Sequence, residues 1–242
     1  MQEDRFLIVG GGIAGLTLAL ALEKKGLASL VMERNEGSLS AGAGIQLSPN
    51  ASRILKSLGL GNLLLKYVSS PESTWFRNWR SGKIIHKSDL GDKAEKKYGA
   101  PYWQVHRADL ARVLLEATRQ KPLIEFLPNC EVLKIHSEDS EVFVETSLGE
   151  KKGVGLIGAD GIKSTVRNEI FRNKELARFT GNVAWRCLVP ADRLSEVFRE
   201  PATSVWWGPK KHFVHYPVRQ GALINCVCVA EKEDWTEESW TK

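Results

Sequence analysis

Phe6-Leu7-Ile8-Val9-Gly10-Gly11-Gly12-Ile13-Ala14-Gly15 decides the fold of this chain. Its first four residues form a continuous apolar run, the signature of a strand covered on both faces. Glycines follow at once, and then residues 13–25 read as a helix rich in Ala and Leu that Gly26 ends. Residues 29–32 supply a second buried strand. Strand, helix and parallel strand in that order begin a doubly wound α/β sheet. The glycines fit G-x-G-x-x-G, and each has a mechanical reason. Gly10 turns the chain off the strand, Gly12 lets backbone approach a pyrophosphate, and Gly15 lets helix and strand pack closely. The helix start offers free N–H groups and a positive dipole end to phosphate. The second strand ends in Glu33-Arg34, where a carboxylate can accept from the ribose hydroxyls of an adenosine and repels a 2′-phosphate. The alternative for Glu33 is a surface carboxylate paired with Arg34.

Working outward, residues 51–58 and 108–120 read as helices, and 124–127, 131–135, 142–146 and 154–157 as strands. The last of these leads into Gly158-Ala159-Asp160-Gly161-Ile162-Lys163-Ser164-Thr165-Val166-Arg167. A strand that delivers Asp160 to its end puts it where ligands sit in open α/β sheets. A turn followed by a capped helix explains the same residues. Between 74 and 86, aromatic and β-branched residues flank Ser81-Gly82, which predicts a β-hairpin. Beyond about residue 175 the pattern is mostly β: 182–189, 203–207, 213–218 and 222–230. An α/β unit interrupted near 70–98 is therefore accompanied by a β-rich layer. The interruption is expected to pair with the late strands.

Bulk composition narrows the function classes. The 242 residues are 43% hydrophobic and 26% charged, which permits a real core and excludes a low-complexity chain. The net charge of +5 comes from cations dispersed among acids, so no nucleic-acid stripe is expected. No apolar run is long enough to span a membrane, and the start, Met1-Gln2-Glu3-Asp4-Arg5, lacks the basic character of a signal peptide. Cys130, Cys187, Cys226 and Cys228 form no C-x-x-C pair, and no His completes a metal set. They read as buried, reduced thiols of a cytoplasmic protein, with Cys226 and Cys228 sharing one strand face.

Taken together, the glycine motif with Glu33-Arg34, Gly42-Ala43-Gly44-Ile45-Gln46-Leu47-Ser48-Pro49-Asn50, His106-Arg107-Ala108-Asp109-Leu110, the Asp160-Gly161 cluster with Ser164 and Arg167, and Ala184-Trp185-Arg186 resemble one family. It is the class A flavoprotein aromatic monooxygenases, with the para-hydroxybenzoate hydroxylase fold, and within it the salicylate hydroxylase-like group. The likeness covers essentially the whole chain. It implies FAD as the bound dinucleotide, with NADH or NADPH as transient reductant, O2 as co-substrate and a small phenolic ring as substrate. It implies an FAD-binding domain over residues 1–70 and 99–175 and a β-rich substrate domain over 71–98 and 176–242. Gly10, Gly12, Ile13, Ala14 and Gly15 would surround the pyrophosphate, and Glu33 with Arg34 the adenosine ribose. Arg107 would reach the pyrophosphate or ribityl region, or else pair with Asp109. Val132 would touch the adenine, its alternative being core packing. Asp160 and Gly161 would face the ribityl–pyrophosphate side, and Ala43, Gly44, Ile45 and Gln46 the isoalloxazine.

Within the late layer, His212 and Tyr216 are four apart and share a strand face, with His215 on the other. One reading makes His212 the base that activates the substrate phenol and Tyr216 a ring-orienting contact; the other is packing. A homodimer is compatible with the family's habit. The family's later Gly-Asp motif has no match between residue 168 and Lys242. The expectation is therefore a truncated form, not competent by itself as a hydroxylase, with a non-catalytic FAD-binding remnant as the alternative.

Overall fold

A computed structural model describes residues 4–37, 42–171 and 178–233. From the N-terminus come β1 (Arg5–Val9), α1 (Ile13–Glu23) and β2 (Ala28–Met32). Next are β3 (Gly44–Leu47), α2 (Pro49–Ser57), α3 (Gly61–Leu64), β4 (Ser73–Asn78) and β5 (Ile84–Asp89). Then α4 (Gly91–Tyr98), β6 (Trp103–His106), α5 (Arg107–Arg119) and β7 (Ile124–Leu127) follow. β8 (Val132–Glu138), β9 (Glu141–Thr146), β10 (Gly149–Gly153), β11 (Gly155–Gly158) and α6 (Thr165–Phe171) come after them. The late strands are β12 (Asn182–Pro190), β13 (Ala202–Gly208), β14 (Lys211–Val218) and β15 (Leu223–Glu231). Contacts gather these into two compact units, Met1–Ser40 with Ala111–Ala177, and Ala41–Leu110 with Arg178–Lys242.

The first unit is built on a parallel sheet in the order β11-β1-β2-β7, as the opening stretch predicts. Strand alternation gives this sheet two apolar faces. Leu7, Val9, Leu30 and Met32 join Cys130, Val132, Val144 and Val166 in one core cluster, so β8, β9 and α6 cover that face. Ile8 points the other way, towards Gly15 of α1. Buried Leu16, Ala19 and Leu20 make that helix's inner stripe. β8, β9 and β10 form a separate antiparallel sheet.

The second unit holds a six-stranded sheet in the order β12-β15-β14-β13-β4-β5. The hairpin expected near Ser81-Gly82 is β4–β5, which closes one side of this sheet, with β4 parallel to β13. Its turn has a local cause. The Asn78 side chain accepts from the Arg80 and Ser81 amides, and Gly82 takes the positive φ of +69° that closes it. β3 and β6 pair antiparallel. Two bonds tie them to the large sheet: Gln104 Nε2 donates to Thr203 Oγ1 at 2.5 Å, buried, and the Gly44 amide donates to Asn225 Oδ1 at 2.6 Å, partly buried. For that reason residues 41–70 and 99–110 group with the β-rich strands, and the division falls at 40, 110 and 177 instead of 70, 98 and 175.

The cysteines also differ from the expectation of burial. Cys130 and Cys226 are buried, but Cys187 and Cys228 are exposed. β12 is an edge strand, so side chains on its row and the adjoining part of β15 remain open to water.

Candidate functional site

In the first unit the predicted residues converge at the C-terminal ends of β1, β2 and β11. Gly10 has φ +106°, and a Cβ there would sit 2.4 Å from the Ala159 carbonyl oxygen. That close approach joins the glycine motif to the Asp160 motif, because β1 and β11 are neighbouring parallel strands. At Gly15 a Cβ would meet the Gly10 carbonyl oxygen at 1.9 Å. At Gly12, by contrast, a Cβ would meet no atom within 4 Å. Gly12 is the N-cap of α1 and supplies no side-chain cap; the first turn of the helix contains no acid. The first turn of α1 thus has no side-chain cap and open space beside Gly12, which is compatible with an external anion.

Glu33 borders the same space. Its Oε2 accepts from the Gly11 amide at 2.8 Å, and its Oε1 accepts from the Asn35 amide and Nδ2, both at 3.0 Å. A carboxylate offers about four acceptor positions, so three internal bonds leave capacity for a hydroxyl. The alternative of a Glu33–Arg34 surface pair is not what this carboxylate does. Arg34 is exposed on the following residue.

Asp160 behaves as the reading of a turn followed by a capped helix describes. It stands at the end of β11, yet its carboxylate caps α6. Ser164 Oγ donates to Oδ1 at 2.6 Å, and the Thr165 and Val166 amides donate to Oδ2 at 2.7 and 3.1 Å. Ser164 Oγ in turn accepts from the Arg167 amide at 2.9 Å. Gly161 turns the chain between them at φ +80°. The Val132 side chain lies in the core cluster, so any adenine contact at that position falls to its backbone.

The second unit gathers the other predicted residues. Buried Ala43 accepts from the Arg107 amide at 3.0 Å, which places Arg107 at the start of α5 with its side chain exposed. Asp109 is held by Arg219, whose Nε and Nη2 donate to its two oxygens at 2.7 and 3.1 Å. Gly44 faces the large sheet so closely that a Cβ would be 2.7 Å from Tyr216 Cε2 and from Asn225 Cγ. Ile45 is half-buried, and exposed Gln46 accepts from the Tyr102 hydroxyl at 2.8 Å.

Tyr216 is therefore brought against the Gly44 strand. Burial raises its phenol well above the ordinary value; the Arg186 guanidinium offsets part of this, and Tyr102 adds to it. The group remains a neutral donor at physiological pH. His212 shares the Tyr216 face by alternation but lies four residues, about 13 Å, further along the strand. It pairs with Trp207 and Val229, and the structure does not bring it against Gly44. His215 points to the opposite face, as alternation requires. Asn225 was not foreseen. The one sequence signal for it is a polar residue inside the apolar run Leu223-Ile224-Asn225-Cys226-Val227. It is fully buried, and its Nδ2 has no hydrogen-bond partner.

Among the described residues there is no His, Cys, Asp and Glu cluster suited to a metal ion, and no helix is long and apolar enough to cross a membrane.

The profile of the FAD binding domain family matches residues 4–242. The 3-amino-4-hydroxybenzoate 2-monooxygenase PtmB3 of Streptomyces platensis is 35% identical over 240 residues, 99% of this chain and 60% of that protein. The 3-hydroxybenzoate 6-hydroxylase of Polaromonas naphthalenivorans is 35% identical over 233 residues, 95% of this chain and 58% of that protein. The chain thus spans about 60% of the length of these relatives. Among solved structures, Klebsiella pneumoniae HpxO complexed with FAD and uric acid superposes with a TM-score of 0.83 at 24% identity, covering 98% of this chain and 59% of that one. At that identity the likeness speaks to the fold.

Proposed function

We propose, for a chain that belongs to the FAD binding domain family, that it binds FAD and serves an NAD(P)H-consuming monooxygenase reaction on a small phenolic acid. The observation that carries this reading is the open N-terminus of α1 at Gly12, with the Glu33 carboxylate beside it. The first receives a pyrophosphate and the second a ribose, in the order that an adenosine diphosphate presents them. Bound FAD, reduced by NADH or NADPH, supplies the activation of O2 that places one oxygen atom on the ring.

The chain's own residues divide the remaining tasks. Gly10, Gly12, Ile13, Ala14 and Gly15 offer backbone to the pyrophosphate, and Arg34 lies alongside the ribose. Asp160 keeps the N-terminus of α6 in place, and Gly161 lets backbone approach the ribityl side. Ala43, Gly44, Ile45, Gln46 and Arg107 serve the ring half of the cofactor. Tyr216, held neutral, donates a hydrogen bond that orients a substrate ring. The relatives' printed names support a hydroxybenzoate-like substrate.

Glu33→Lys tests the cofactor placement. It removes a charge-assisted acceptor, so FAD affinity is expected to fall by about 1.5–3 kcal/mol, roughly 10- to 150-fold. Flavin fluorescence titration reads this directly. Unchanged affinity would place the adenosine elsewhere, and a parent chain that takes up no FAD at all would sink the reading.

A further inference from the structure

Cys187 on β12 lies directly opposite Cys226 on β15. Opposed residues of an antiparallel pair have Cα atoms about 4.5–5.5 Å apart, within the roughly 4.4–6.8 Å that disulfides span. Their side chains leave the sheet on one face, close enough that, after burial, Cys187 helps raise the pKa of Cys226. Cys228 shares that face but stands opposite Trp185, diagonal to Cys187 at about 7–8 Å. Cys130 belongs to the core of the other unit and is 1% exposed.

We propose that Cys187 and Cys226 form an oxidisable dithiol, a modification site at which hydrogen peroxide makes a cross-strand disulfide. The exposed Cys187 sulfur attacks the peroxide; the O–O bond breaks, one water leaves and Cys187 becomes a sulfenic acid. The Cys226 sulfur then attacks the Cys187 sulfur, the S–S bond forms and a second water leaves. Two thiols lose two electrons and two protons, and the peroxide is reduced to water. The order follows from access. Burial first, and the neighbouring Cys187 next, push the Cys226 thiol up to about 12, so it resolves the sulfenic acid and does not start the reaction. The bond welds an edge strand to its neighbour and restricts the unfolded chain, so it raises the unfolding temperature. Thiol exchange reverses it. This inference does not rest on the function proposed above.

The experiment exposes the purified chain to a few equivalents of hydrogen peroxide, blocks remaining thiols, and maps peptides without reduction. The expected result is two titratable thiols in place of four, with the Cys187 peptide joined to Cys226 by fragment sequencing. Thermal unfolding moves up by several degrees and returns on adding dithiothreitol. Cys187→Ser, at an exposed position, abolishes both changes, and Cys228→Ser preserves them. Four thiols surviving would overturn the proposal. So would Cys187 joined to Cys228, Cys187 carried to a sulfinic acid without a cross-link, or a disulfide between two copies of the chain.

Discussion

Gly15→Ala is expected to leave the first unit unable to fold stably, whereas Gly12→Ala is expected to leave it folded and to cost flavin affinity. The two glycines stand three residues apart in one motif, and the structure gives them opposite tasks. An alanine Cβ at Gly15 would lie 1.9 Å from the Gly10 carbonyl oxygen and 3.1 Å from its carbon. Both are backbone atoms, so relief requires α1 to lift off β1. That separation would open the packing of Leu16, Ala19 and Leu20, with a cost of at least about 3 kcal/mol. At Gly12 the same methyl meets no atom within 4 Å, and φ is an ordinary −77°. The fold should lose only about 0.5–1 kcal/mol there, the usual cost of alanine at an N-cap relative to glycine. The added methyl instead occupies the approach to the α1 amides, so FAD affinity should fall about 10- to 100-fold. Thermal unfolding and flavin titration on both variants make the comparison. A stable Gly15→Ala chain would mean that the close contact is not required. A Gly12→Ala chain with full affinity would mean that the pyrophosphate does not lie over this turn.

Legibility in the sequence followed how local the cause of each feature was. The strand–glycine–helix–strand start was readable because each residue's reason lies within a few positions of it: apolar runs for buried strands, Gly26 for the helix end, Gly10 for the turn. The β4–β5 hairpin was readable for the same reason, through Asn78 and Gly82. Strands β3 and β6 were missed as strands. Each has four residues, and they pair with each other across some sixty positions of chain, so no local period marks them. Their attachment to the large sheet depends on Gln104 and Asn225, single polar residues whose partners, Thr203 and Gly44, are distant in sequence. The unit boundaries moved accordingly. The cysteines show the same limit. An alternating apolar run on β12 and β15 suggests burial, but edge position decides exposure, and edge position is a property of strand order.

The candidate site was legible as residue types more than as side-chain roles. Asp160 reaches the expected strand end, yet its oxygens serve α6, because a helix start leaves amides that a nearby carboxylate satisfies. Alternation placed His212, His215 and Tyr216 on their correct faces. It could not say how far along the strand the neighbouring segment lies, and that distance separates Tyr216, which meets Gly44, from His212.

His215 should make the second unit acid-sensitive. The ring is 2% exposed and lies between Phe198, Phe213 and Trp206, at centroid distances of 5.0, 5.5 and 6.2 Å. Neither nitrogen has a hydrogen-bond partner. Arg77 faces it from β4, itself paired with Glu200; Ser204 opposes it from β13 and Cys226 from β15. Burial first, and the Arg77 guanidinium second, hold the imidazole down to about 4. In the unfolded chain it titrates near its ordinary value of 6.5. Between those values the unfolded chain binds a proton that the folded chain refuses. Stability from this group is therefore complete above 6.5 and is lost as pH falls towards 4, by about 3 kcal/mol in all. His215→Phe keeps an aromatic ring in an aromatic cage and removes the titrating nitrogens. Urea unfolding of both proteins near pH 7 and near pH 4 reads the effect; the variant should lose roughly 2–3 kcal/mol less between them. His106, also held low by burial and then by Arg219, contributes equally to both proteins and drops out of the difference. Equal losses in parent and variant would show that His215 already carries its proton, or finds a partner for it, in the folded chain.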